Sequence, residues 1–112
     1  IERLNLIDES MRKGRILRRE LMKLQSESGG RISRFSSRGL VAALIFNDEA
    51  CGGSAAGFAD KVCLRALESG LLVVRTGRES IKIGPPLTIA DEALEEGLDV
   101  LGRAIADVAW GA

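Results

Sequence analysis

An α+β fold, with a small, mostly antiparallel sheet of three to four strands packed against helices, is what the periodicities along this chain predict. Three observations lead there. Apolar residues recur at helical spacing at both ends of the sequence and once in its middle. Short aliphatic runs suited to strands fill the gaps between those helices. Glycine, serine or proline marks nearly every junction. The order is α-β-β-α-β-β-α, read as a single domain over residues 1–112, with no internal repeat or low-complexity linker.

The first helix is expected over residues 2–27, where Leu4, Ile7, Met11, Leu17, Leu21 and Leu24 form an apolar stripe. Gly14 interrupts that stripe, and a glycine costs about 1 kcal/mol against alanine inside a helix. Close approach of another element is its expected role. Arg12, Lys13, Arg15, Arg19 and Lys23 occupy the other face, which reads as solvated or as a docking surface for an acidic partner. Ser28-Gly29-Gly30 ends the helix. Arg31 to Ser37 is polar and suits an edge strand. Ser36-Ser37-Arg38-Gly39 turns into Leu40–Phe46, a run expected to be a strand covered on both faces.

Asn47 to Ser54 is a loop with a glycine pair. Neither GxxxxGK[ST] nor GxGxxG is present, so it reads as a flexible connection rather than a phosphate cradle. The second helix spans Ala55 to Ser69, and Gly70 ends it. Leu71-Leu72-Val73-Val74 is expected as a buried strand, Arg75–Glu79 as a turn, and Ser80–Gly84 as the hairpin partner. Ile81 and Ile83 then share one face and Lys82 projects from the other. Pro85-Pro86 stops the strand, since proline cannot donate to a ladder. Leu94, Leu98, Leu101, Ile105 and Val108 form the stripe of the last helix, with Thr88 and Asp91 as a capping pair and Gly97 and Gly102 inside it.

Composition narrows the function classes. Charge balances at 16 basic and 16 acidic residues, with three Phe, one Trp and no Tyr, which argues against nucleic acid as a partner. No apolar run approaches the ~20 residues of a membrane span. Histidine is absent, which removes the commonest metal ligand and general base and any Ser-His or Cys-His dyad; no metal site is expected. Cys51 and Cys63 show no CxxC spacing and read as reduced thiols in an intracellular, cytoplasmic setting. The sequence begins at Ile1, and a fragment of a longer chain is expected.

The stretch from Leu67 to Val108 resembles the C-terminal end of the class III pyridoxal-phosphate aminotransferases, the group of 4-aminobutyrate, ornithine and acetylornithine aminotransferases. Ser69-Gly70-Leu71-Leu72-Val73 is similar to that family's helix end and "GLLV" strand. Ile81-Lys82-Ile83-Gly84-Pro85-Pro86-Leu87-Thr88-Ile89 is similar to its "IRxxPPLxI", and Glu96 to Leu101 to the start of its last helix. Arg38-Gly39-Leu40 resembles its "RGxGL" turn. The resemblance implies a C-terminal small domain of a fold type I enzyme, partnered by an N-terminal large domain that holds pyridoxal 5'-phosphate on a Schiff-base lysine. It implies a homodimer, and transfer of an amino group from an amino acid or amine to a 2-oxo acid. No residue here is expected to hold the cofactor, and the chain alone is expected to be inactive.

One role carries over by position. The family's arginine in "IRxxPPL" grips a substrate carboxylate, and Lys82 stands there, keeping the charge without the planar fork. Arg38, Gly39, Pro85 and Pro86 read as shape-giving residues. The rival reading is a non-catalytic α+β module that binds a ligand or dimerises.

Overall fold

Seven elements follow one another in the expected order: α1 (Arg3–Glu27), β1 (Ile32–Arg38), β2 (Val41–Phe46), α2 (Ala55–Glu68), β3 (Val74–Thr76), β4 (Ser80–Ile83) and α3 (Asp91–Trp110). They come from a computed structural model that describes residues 3–71, 73–76, 80–85 and 89–110, with side chains from Ile7 onward. The fold is α+β. Four antiparallel strands form one sheet in the order β1-β2-β4-β3, so β1 and β3 are its edges. Among the described residues no helix is long and apolar enough to cross a membrane.

Helices cover one face of the sheet. α2 lies across β2, β3 and β4, α1 packs on β1, and α3 bridges α1 and α2. Leu17 and Leu21 of α1, Leu44, Val62, Ile81 and Leu101 are fully buried between these layers. Phe46 and Phe58 meet edge to face at 5.2 Å, tying β2 to α2. This arrangement corrects one expectation. β2 is covered on a single face: Ala42, Leu44 and Phe46 are buried while Val41 is 50% exposed. Its unbroken apolar run looked like a two-sided strand, but all three helices gather on one side.

The third strand also differs from expectation. Gly70, at φ +87, closes α2 by sending its amide to the Leu67 carbonyl, while the Leu71 amide reaches the Ala66 carbonyl. That pair of bonds is a Schellman closure, and it commits Leu71 to the helix end. Pairing with β4 therefore starts only at Val74, which is 54% exposed, and Arg75 and Thr76 belong to the strand rather than the turn. Leu72, the residues 77–79 and the proposed cap at Thr88 lie outside the described residues.

α1 deviates at its start. At 25 residues it is about 37 Å long, against about 24 Å for the seven residues of β1. Its first turns outrun the core, so Ile7 and Met11 are exposed although they continue the apolar stripe. Lys13, expected on the solvated face, is buried instead.

Gly14 has the role its position implied. A Cβ built there would lie 2.6 Å from the carbonyl oxygen of Gly39, in the turn between β1 and β2. Gly39 itself sits at φ +57, as the first residue of a two-residue hairpin loop demands. Gly102 plays the matching part on α3, where a Cβ would meet Leu24 at 2.8 Å. α1 thus meets the hairpin backbone to backbone, while α3 receives the Leu24 side chain of α1 against its own backbone.

Gly14→Ala decides between two opposing effects. Alanine adds about 1 kcal/mol of helix propensity, whereas overlap with a backbone carbonyl at 2.6 Å costs about 2–3 kcal/mol, the upper part of the overpacking range, and cannot be relieved by a rotamer change. Net destabilisation of about 1–2 kcal/mol is expected in urea titrations. Gly84→Ala, where a Cβ meets nothing within 4 Å, should stay within about 0.5 kcal/mol of the parent. A Gly14→Ala chain as stable as the parent would refute the close contact.

Candidate functional site

Lys82 sits where the alternation of β4 requires. Ile81 is buried and pairs with Leu44, while Lys82 pairs with Ala43 of β2 and Val74 of β3 and is exposed. It therefore stands on the face of the sheet that no helix covers. The register places Arg34, Ser36 and Arg38 of β1, Val41, Ala43 and Ile45 of β2, Val74 and Thr76 of β3, and Ser80 on that same face. None of these residues is acidic.

An open groove of about 400 Å³ runs over this face, with Lys82, Arg38, Ser36, Val41, Ala43 and Thr76 on its walls and floor. Thr76 and Ser80 share a hydrogen bond between their hydroxyls at 3.1 Å, bracing the strand that carries Lys82. Among the described residues, neither Lys82 nor Arg38 has a carboxylate partner. The contrast with the helical side is clear: Arg12, Arg19, Arg65 and Arg75 all meet carboxylates. An anion is what this groove can accommodate.

Gly84 and Pro85 follow β4, and α3 begins at Asp91. α1 holds the entry to α3. Lys13 donates to the Ile89 carbonyl at 2.7 Å, with Glu9 at 3.8 Å from its ammonium. Arg12 forks onto Asp91 at 2.6 and 3.0 Å and onto Glu9 at 3.1 and 3.0 Å. These hydrogen bonds from Arg12 lower the pKa of both Glu9 and Asp91 from the usual carboxylate values and raise that of Arg12. Asp91 thus ties the start of α3 to α1.

Sequence reasoning placed Lys82 on the outward face of β4 and missed its neighbours there. Arg38 was assigned to shape, and Arg12 and Lys13 to a solvated face. Counting back from Gly39 as a hairpin loop would have put Arg38 opposite Val41 and so on the uncovered face. No local signal marks Lys13, because its partner is a carbonyl 76 residues away.

The glycine-pair loop gives no phosphate cradle. Asp48 accepts the amide of Ala55 at 2.9 Å and Ser54 accepts that of Gly57 at 3.0 Å, so these α2 amides are satisfied internally. Cys51 and Cys63 are free and half-buried, and burial pushes both thiols up from their usual pKa. Among the described residues no cluster of three or more possible ligands could hold a metal ion. Among the described residues the groove's walls carry no carboxylate.

The family model for class-III aminotransferases matches residues 1–105. Mitochondrial acetylornithine aminotransferase of Candida glabrata is 33% identical over 102 residues, covering 91% of this chain and 22% of that protein. Mitochondrial ornithine aminotransferase of Rattus norvegicus is 31% identical, covering 94% of this chain and 22% of that protein. Among solved structures, acetylornithine aminotransferase from Elizabethkingia anophelis superposes with a TM-score of 0.80 at 28% identity, over 92% of this chain and 24% of that one. N-acetylornithine aminotransferase from Stenotrophomonas maltophilia K279a gives 0.82 at 27%, over 96% and 28%. The chain spans about a fifth to a quarter of the length of these relatives.

The corner clamp has a pH signature. Glu9 and Asp91 have depressed folded-state pKa values, so their contribution to stability is present above the unfolded value of about 4 and is lost as pH falls through the folded one. Urea midpoints should drop on acidification below about pH 4. Arg12→Gln should flatten that slope; identical slopes for parent and variant would rule out the clamp.

Proposed function

This chain belongs to the class-III aminotransferase family, and on that premise we propose that residues 1–112 form the C-terminal small domain of a pyridoxal-phosphate-dependent aminotransferase. The enzyme transfers an amino group from an amino acid or amine to a 2-oxo acid. In this reading a large N-terminal domain carries the cofactor, and the intact enzyme is a homodimer acting in the cytoplasm. Two of the relatives are mitochondrial enzymes, and fractionation distinguishes the compartments.

One observation carries the reading: Lys82, without a carboxylate partner among the described residues, stands on a braced strand facing an uncovered groove, in the position where the family's motif has its carboxylate-gripping arginine. Its ammonium attracts a substrate carboxylate and holds it beside the sheet. Ladder pairing on both sides of β4 and the Thr76–Ser80 hydroxyl bond hold its strand in place, so the charge is placed before substrate arrives. Lysine offers a point charge on a flexible stem, so orientation depends on hydroxyls nearby, of which Ser36 and Thr76 line the groove. Bound pyridoxal phosphate supplies the electron sink for amino transfer. The domain's share is to bind, orient and cover.

Two measurements test this. Titration of this chain alone with pyridoxal phosphate should give no saturable one-to-one spectral change; a stoichiometric complex would move the cofactor site into these residues. In the enzyme that carries the chain, Lys82→Gln should raise KM for the carboxylate substrate about tenfold to a hundredfold, the worth of one hydrogen bond to a charged group. Lys82→Arg should restore most of that loss. An unchanged KM in Lys82→Gln would remove Lys82 from the site.

A further inference from the structure

A second cationic pocket lies among the helices, where the loop before α2 meets the start of β1 and the end of α3. It measures about 370 Å³, within the size of small-molecule sites, and no acidic residue lines it. Arg31 is held in place there. Its guanidinium stacks on the Trp110 ring at 4.3 Å and donates to the Ser28 carbonyl at 3.2 Å. Lys61 comes from α2, two turns beyond the N-cap residue Ser54. Helical side chains lean toward the N-terminus, so Lys61 reaches back over Gly57 toward Ser54. Gly57 lines the pocket without a side chain to fill that space. Ser54 accepts the Gly57 amide at 3.0 Å, which leaves its hydroxyl hydrogen to donate.

We propose that Arg31, Lys61 and Ser54 form a binding site for a phosphate dianion, free or as the terminal group of a small monoester. Two cations and a hydroxyl around one space suit a group with several acceptor oxygens better than the two of a carboxylate. Among the described residues neither cation meets a carboxylate. Asp48, in the loop nearby, accepts the Ala55 amide at 2.9 Å and does not line the pocket. The loop amides take no part in this site; its charge comes from side chains on either side of the loop. Phe58 and Val108 offer an apolar wall to the organic part of a monoester. The site is independent of Lys82, which stands on the uncovered face of the sheet. Its contacts engage phosphate oxygens alone, so pyridoxal phosphate held through them would keep the spectrum of the free aldehyde.

Amide chemical shifts of this chain test the assignment, followed during titration with inorganic phosphate, glycerol 3-phosphate and acetate at constant ionic strength and about pH 8, where both phosphates are dianions. Both phosphates should shift Cys51, Ser54 and Gly57 saturably, and acetate should not. Whichever phosphate binds more tightly names the source, and either order supports the site. Lys61→Gln should weaken both about threefold to fivefold, the yield of one exposed ion pair. Arg31→Gln should weaken them about tenfold, as the loss of a hydrogen bond from a charged group. Lys61→Arg should retain binding, which separates charge from fold. Should Arg31→Gln disturb the packing of Trp110, Lys61→Gln on the exposed side of α2 still decides. Unchanged affinity in Lys61→Gln would overturn the proposal, as would a response to acetate equal to that for phosphate. Shifts confined to Ser36, Ala43 and Thr76 would give the anion to the sheet face and overturn it as well.

Discussion

The backbone contact between Gly14 and Gly39 is the constraint on which the rest depends. A helix and a hairpin loop meet there with no side chain between them, since a Cβ on Gly14 would come to 2.6 Å from a carbonyl oxygen. Such a contact fixes the rotation of α1 about its own axis as well as its distance from the sheet. With that rotation set, Lys13 and Arg12 are directed at the start of α3, where they bind the Ile89 carbonyl and Asp91. The entry to α3 is thereby tied to α1. One glycine in a helix, unfavourable by propensity, thus sets how α1 seats against the hairpin.

Much of this was legible in the residues. Helical spacing with glycine stops located all three helices, because apolar stripes and caps are local signals. Alternation across Ile81, Lys82 and Ile83 assigned the faces of β4 correctly. What escaped were features decided at a distance. The apolar run of β2 does not reveal that its second face is bare, because that depends on where the helices gather. The strand at Val74 starts late because Leu71 is drawn into the end of α2 by a bond to Ala66. Lys13 reads as a surface lysine until α3 arrives to cover it. Arg38 could have been placed by counting hairpin register, yet its meeting with Lys82 depends on β4 lying next to β2 rather than next to β3 alone.

Charge is divided by layer. On the helical side several basic residues are matched: Arg12 with Glu9 and Asp91, Arg65 with Glu68 and Asp107, Arg75 with Asp60. These are mostly exposed pairs that contribute little individually. The bare sheet face has Arg34, Arg38 and Lys82 and no counter-charge among the described residues. A chain with zero formal net charge therefore still presents a local positive field, because its acids are concentrated elsewhere.

The two edges of the sheet carry a separate consequence. An unpaired edge is a template on which another chain can add a strand, and long flat apolar edges invite fibre growth. β3 is only three residues long, and its Arg75 is tied to Asp60 of α2. β1 is longer, but its register slips between Ile32 and Arg34, and its sequence is Ile-Ser-Arg-Phe-Ser-Ser-Arg. A bulged, arginine-bearing edge on one side and a stub on the other give an incoming strand little to pair with. The apolar run of β2, the most aggregation-prone segment by composition, is shielded between them as an inner strand.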